Sequence, residues 1–288
     1  MRFIVLFLFL ISCGKIPDSY PTSLPNYKTK YPIVLLGGAV STNADSMKEI
    51  KEHLESLGCE AYLTRVDSAT PVAHRAEQLK NELEALREKT HFEKVNLIAY
   101  SMGGVDARYL ISALNYGSYV ASLTTLGTPH RGSLIADLLL GRPFGVTEEM
   151  EDDNYFTHEQ KENLKTILKN FFGALYNLSV RYMETEFNKT VLDDPNVFYQ
   201  SWTGETQVSG EFGDDTVNRM LLLPYGYLRL RAGLNDGLVP TSSSTWGIPH
   251  LVKADHFDLV GVDIPNKTKY KYVNLFLTIT SDLTKRGF

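Results

Sequence analysis

A chain of 288 residues, 43% hydrophobic and 22% charged, can bury a large core, which excludes the disordered and fibrous classes. A formal net charge of −5 is the wrong sign for a nucleic-acid binder, so no nucleic-acid partner is expected. Two cysteines are too few for a disulfide-built scaffold.

Met1-Arg2 is followed by an apolar run to Ile11, too short to cross a bilayer comfortably, and then by Ser12-Cys13. This predicts an export signal over residues 1–12. Leu10-Ile11-Ser12-Cys13 resembles the lipobox of bacterial lipoproteins, which implies lipidation of Cys13 and a location in the cell envelope, at the outer membrane before the inner. An ordinary signal cleaved elsewhere, and hence secretion, or an uncleaved anchor is the alternative. Residues 13–30, rich in Pro, Ser, Tyr and Lys, read as a tether, and a lipidated Cys13 leaves Cys59 without a partner in the chain.

From residue 31 to 288 a single domain is expected, and strand and helix signals alternate. Pro32 to Leu36 is a short apolar run closed by Gly37-Gly38. Met47, Ile50, Leu54 and Leu57 then recur at helical spacing before a stop at Gly58, and Ala61 to Val66 is strand-like. A helix over Arg75–Lys89, with Ala76, Leu79, Leu83 and Leu86 on one face, leads to the apolar run Val95–Tyr100, and Ser122–Leu126 is a further strand. Strands separated by helices predict an α/β fold: a mostly parallel sheet with helices on both faces and ligands at the carboxyl ends of its strands.

The rhythm breaks at about residues 134–195, a predicted helical insertion. Acidic Glu148–Asp153 precedes an amphipathic helix carrying Leu164, Ile167, Leu168, Phe171, Phe172 and Leu175. Such a stripe serves either as permanent packing or as a lid over an apolar site. Strand-like runs return at Val197–Trp202 and Leu228–Ala232.

Chemistry concentrates at Val95–Ala107, V-N-L-I-A-Y-S-M-G-G-V-D-A, where an apolar run ends at Tyr100 and a helix-compatible stretch starts after Met102. Ser101 stands at the corner, on a nucleophile elbow, with the small residues Ala99 and Gly103 two positions to either side. A serine hydroxyl is a poor nucleophile at neutral pH and needs a neutral imidazole oriented by a carboxylate, in the chain order Ser, acid, His for such a sheet. Asp236, in the turn L-N-D-G-L-V-P, is the acid candidate; of the downstream histidines, His256 in A-D-H-F-D-L-V is favoured over His250. The Met102 N–H supplies one oxyanion donor, and the Gly37-Gly38 loop offers that of Ala39, unless those glycines only make a tight turn.

Together, Y-P-I-V-L-L-G-G, the elbow, T-L-G-T-P-H-R-G-S, Y-Q-S-W-T-G, N-D-G-L-V-P and D-H-F-D resemble, in order, the bacterial triacylglycerol lipase family of the pseudomonad type, an α/β-hydrolase group. The resemblance implies Ser101 as nucleophile, Asp236 as acid, His256 as base, and Ala39 and Met102 as oxyanion donors. It also implies that Arg75 steadies the oxyanion loop. No organic cofactor is implied, but a structural calcium is, with Asp258 and Asp214 (or its neighbour Asp215) as carboxylate ligands. The chain departs from the family in having Gly37 for histidine in the oxyanion loop, Ala99 for the first elbow glycine, and no cysteine near the acid. The expected activity is that of a serine ester hydrolase, a lipase that cleaves triacylglycerol ester bonds through an acyl-enzyme, with a short-chain carboxylesterase or a phospholipase as the near alternatives. A noncatalytic surface lipoprotein that binds a lipid or partner is the alternative of another class.

Overall fold

The computed structural model describes residues 26–39, 45–141, 158–207, 217–262 and 270–288. Six strands form one sheet in the order β2-β1-β3-β4-β5-β6, with every neighbouring pair parallel. They are β1 (Ile33–Leu36), β2 (Ala61–Leu63), β3 (Val95–Tyr100), β4 (Val120–Leu126), β5 (Phe198–Glu205) and β6 (Ile248–Lys253). β1, β3 and β4 are buried at every position, as a parallel sheet covered on both faces requires. The expected strand at Ala61–Val66 stops at Leu63, although Thr64 still donates its N–H and hydroxyl to the Leu35 carbonyl.

Successive side chains of a strand point to opposite faces, and this divides the core in two. Ile33 and Leu35 pack with Met47, Ile50 and Leu54 of α1 (Asp45–Ser56) and with Phe276 and Ile279 of the closing helix, Tyr272–Lys285. Val34 and Leu36 pack with Leu79 and Leu83 of α2 (Val72–Thr90) and with Ala107 and Leu110 of α3 (Met102–Ser112). Of the residues read at helical spacing, Met47, Ile50 and Leu54 on α1 and Ala76, Leu79 and Leu83 on α2 are buried, whereas Leu57 lies past the end of α1 and is exposed, and the closing helix was not read from the sequence. Cys59 is buried with a free thiol, which donates to the Tyr27 carbonyl.

Between β4 and β5 the described residues form helices alone: α4 (Leu134–Leu140), α5 (His158–Asn177), and short turns from Val180 to Thr190 with a π-helical stretch at Met183–Phe187. Glu148–Asp153, the side chains of Leu164, Ile167 and Leu168, and the whole N-terminal segment with Cys13 lie outside the described residues. No described helix is long and apolar enough to cross a membrane.

One expected strand is corrected. Leu228–Ala232 belongs to helix α6, Leu222–Arg231, which is followed by the short α7 (Thr241–Ser244) and, after β6, by α8, the closing helix. The alternation L-R-L-R suggested a period of two, yet Leu221, Tyr225 and Leu228 are the buried residues, and their spacing is helical. Pro224 fits within the first turn, where its missing N–H is not needed, and Gly233 at φ +85° ends the helix. His250, for which the sequence leaves a surface or a packing role open, lies on β6 and stacks on Trp202 with centroids 4.3 Å apart.

Candidate active site

Ser101 closes β3 and caps α3 with φ 53° and ψ −126°, a conformation that non-glycine residues rarely adopt. The turn persists because its surroundings leave no alternative: a Cβ at Gly103 would lie 2.6 Å from the Gly37 carbonyl oxygen. The Ser101 carbonyl accepts from the Thr128 hydroxyl at 2.8 Å, and its N–H donates to Leu126.

Across from the serine, His256 sits in the loop after β6. Its Nε2 lies 3.0 Å from Ser101 Oγ, and its Nδ1 lies 2.7 Å from Asp236 Oδ2. Both Asp236 and His256 are buried. The strand expected before Asp236 is the helix α6, but the Asp236 loop still reaches the carboxyl end of β5, where the Asn235 carbonyl accepts from Thr206 N–H. The other Asp236 oxygen accepts from the N–H groups of Leu238 and Val239 at 2.9 and 2.7 Å, so the carboxylate is fixed from both sides. Gly127, at φ +55°, gives the pair room: a Cβ there would come within 3.0 Å of Asp236 Oδ2 and of His256 Nδ1.

Arg75 is fully buried on α2. Its Nε donates to Asp106 Oδ2 at 2.8 Å, and Nη2 donates to the Gly37 and Gly38 carbonyls at 3.2 and 3.3 Å. The arginine thus ties the loop carrying Ala39 to the helix carrying the elbow. Burial pushes the Asp106 carboxyl up to about 6, opposed by the positive charge of Arg75. Among the described residues neither the Ala39 nor the Met102 N–H donates to another group, and Ala39 and Ser101 line one cavity.

That cavity encloses about 840 Å³, and its wall is mostly apolar: Ile135 and Leu139 of α4, Phe171 and Leu175 of α5, with Leu238 and Phe257 near the acid and base. It is large enough for a ligand of drug or acyl-chain size. The insertion supplies much of the wall.

Sequence reasoning missed three supports. Tyr100, directly before the serine, donates its hydroxyl to the His256 carbonyl at 3.0 Å and holds its ring 5.0 Å from the imidazole. Thr128 braces the elbow, and Asp106 pairs with Arg75. Only Asp106 left a signal, as a lone acid in an otherwise apolar stretch of the elbow helix. Of the residues implied for calcium, Asp258 is buried and its N–H donates to Asp255, whereas Asp214 and Asp215 lie outside the described residues. Among the described residues no group of three or more His, Cys, Asp or Glu is arranged to hold a metal.

A parallel sheet with a strained serine after its third strand, and an imidazole and carboxylate across from it, defines an α/β-hydrolase of the serine ester hydrolase class. The chain belongs to a lipase family within that class: the family model described as palmitoyl protein thioesterase matches residues 32–224. Triacylglycerol lipase 2 of Saccharomyces cerevisiae is 33% identical over 263 residues, covering 83% of this chain and 73% of the yeast protein. A triacylglycerol lipase of Vibrio cholerae is 35% identical over 143 residues, covering 48% of this chain and 45% of its own. Among solved structures, the mature form of a Bacillus licheniformis lipase superposes with a TM-score of 0.61 at 24% identity, covering 91% of this chain and 96% of that one. A metagenomic carboxyl esterase gives 0.67 at 17%, covering 96% and 82%. At these identities the superpositions speak for the fold.

Proposed function

We propose that the protein hydrolyses triacylglycerol ester bonds through an acyl-enzyme on Ser101. The observation that carries this is the hydrogen-bonded run from Ser101 through His256 to Asp236 at the floor of an apolar cavity. His256 Nε2 takes the serine proton as Oγ attacks the carbonyl carbon, and then gives it to the departing alcohol; water repeats the cycle and releases the fatty acid. Asp236 holds the imidazole in the required tautomer and offsets its transient charge, and the Ala39 and Met102 N–H groups receive the oxyanion. Arg75 acts by holding the Ala39 loop in place.

The assignment to the pseudomonad type rests on the ordered motifs from Tyr31 to Asp258, and the triacylglycerol substrate on the relatives' activities. The family match favours a second reading, a long-chain thioester substrate for the same site. Phe171 and Leu175 on the cavity wall support the insertion as a cover that moves at a lipid surface. Cys13 would anchor the chain to the envelope membrane through its lipid.

A fluorophosphonate probe is expected to label the protein but not Ser101→Ala, and p-nitrophenyl esters of longer chain to be cleaved faster than acetate. Labelling that survives Ser101→Ala removes the serine assignment, cleavage confined to acetate and butyrate removes the lipase reading, and preference for palmitoyl-CoA selects the thioester.

For calcium, an all-oxygen set of Asp258 and Asp214 suits a hard cation, which would give structural support to the His256 loop. Asp255 beside it is pushed up to about 6 by burial and by the charges of Asp258 and Asp236, an excess of negative charge that a cation would offset. Chelation is expected to lower the melting temperature. An unchanged melting temperature discards the site.

A further inference from the structure

We propose that α6 and the turn before it form a docking surface for an anionic lipid bilayer, set beside the mouth of the Ser101 cavity. The purpose of such docking rests on the lipase reading; the binding itself does not. The helix is pinned by one face, where Leu221, Tyr225 and Leu228 are buried and the first two pack with Val217, Leu238 and Phe257. Among the described residues no element covers its other face. Leu223 and Leu230, two turns apart on the same side, are 88% and 87% exposed, far beyond what a core-facing helix shows. Met220 and Leu222 extend the apolar surface, and Met220 also lines the cavity.

Charge decides what covers this face. Arg219, Arg229 and Arg231 are exposed around the leucines, and none of them forms an ion pair among the described residues. From Val217 to Asn235 the sequence holds no Asp or Glu, although the whole chain carries a net charge of −5. Exposed leucines ringed by arginines on one short helix are complementary to a surface that is apolar beneath and anionic on top, which describes a bilayer containing acidic phospholipid. A docked α6 brings the bilayer against Met220 and Phe257 at the cavity rim, so an acyl chain can pass from membrane to Ser101 without crossing open water.

The test uses the full chain with Leu223→Trp and vesicles of phosphatidylcholine, alone or with about one-fifth phosphatidylglycerol, an anionic content typical of such assays. Brominated acyl chains quench a tryptophan that enters the bilayer, and the parent protein corrects for Trp202 and Trp246. The reporter sits at position 223, so anchoring through the N-terminus alone leaves it unquenched. Excess quenching is expected on the mixed vesicles, with partitioning reduced roughly 25-fold by Arg229→Gln with Arg231→Gln, at about 5-fold per arginine. Hydrolysis of dissolved p-nitrophenyl butyrate should be unchanged in these variants. Absence of butyrate hydrolysis in the parent would count against the ester hydrolase reading while leaving the quenching result to stand. Three outcomes overturn the proposal: no excess quenching on either vesicle, quenching insensitive to the arginines, or a dimer in solution that Leu223→Asp converts to monomer.

Discussion

The two sides of the active site are held by different forces. Ser101 is fixed mainly by close backbone packing, which holds a strained positive φ between β3 and α3 where Gly103 meets the Gly37 carbonyl, with one brace from the Thr128 hydroxyl. Asp236 and His256 stand on loops and are fixed by hydrogen bonds: two backbone N–H groups on one carboxylate oxygen, the imidazole on the other, the His256 N–H on the Asp236 carbonyl, and the Tyr100 hydroxyl on the His256 carbonyl. Damage should therefore differ in kind on the two sides. The acid–base side should lose rate without losing stability, and the elbow side should lose stability together with rate.

The largest effect is expected at Asp236. Asp236→Asn keeps an oxygen for the Leu238 and Val239 N–H groups but offers His256 the wrong partner, so the imidazole is held in a tautomer that cannot take the Ser101 proton. The rate constant for ester cleavage should fall by about 10⁴-fold while the melting temperature moves little. A melting temperature that falls with the rate would show that the carboxylate holds up the loop rather than tuning the base.

On the elbow side, Arg75→Met leaves the buried Asp106 carboxylate without its cation and frees the Gly37 and Gly38 carbonyls. Stripping one partner from a buried ion pair costs about 3–5 kcal/mol. Chemical denaturation should show that loss, and adding Asp106→Leu should recover most of it by removing the stranded charge. The oxyanion loop remains untied in the double variant, so its rate should stay low when its stability returns. Recovery of both together would reduce Arg75 to a packing residue.

The same contrast governs how much was legible in the sequence. The elbow side could be read because its elements carry strong local signals: buried strands as continuous apolar runs, helices with leucines at 3.6-residue spacing, and small residues around the serine. Asp236 and His256 could be singled out because the chain order expected of the partners limits the choice, and the structure brings the two side chains together. Their setting was less legible. The run L-R-L-R-A matches a strand period locally, but Leu221, Tyr225 and Leu228 are buried at helical spacing and the first two pack against Leu238 and Phe257, contacts between segments that a local pattern does not contain. Tyr100 and Thr128 were missed for the same reason, since each acts on a residue far along the chain or across the sheet.

Between the two sides runs the loop after β4, and its His130 allows the smallest and finest test. The ring is fully buried, with Nε2 3.0 Å from Thr125 Oγ1 and its face stacked on Trp246 at 5.1 Å. Burial, and then the positive charges of Arg108 and Arg131, hold it well below the usual histidine range, so the folded protein keeps it neutral. The unfolded chain binds a proton there below about pH 6.5, and the folded chain does not. Stability must then rise with pH through that region and fall as the pH drops below about 6.5, with a slope approaching 1.4 kcal/mol per pH unit. Urea denaturation from pH 7 to 5 should give a steeper acid loss for the parent than for His130→Gln, whatever stability that variant has at pH 7. Other groups titrate in the same range, but they are common to both curves, so the difference isolates His130. Parallel curves would mean that the ring takes its proton without leaving the fold, and that the seam between the two sides yields to charge.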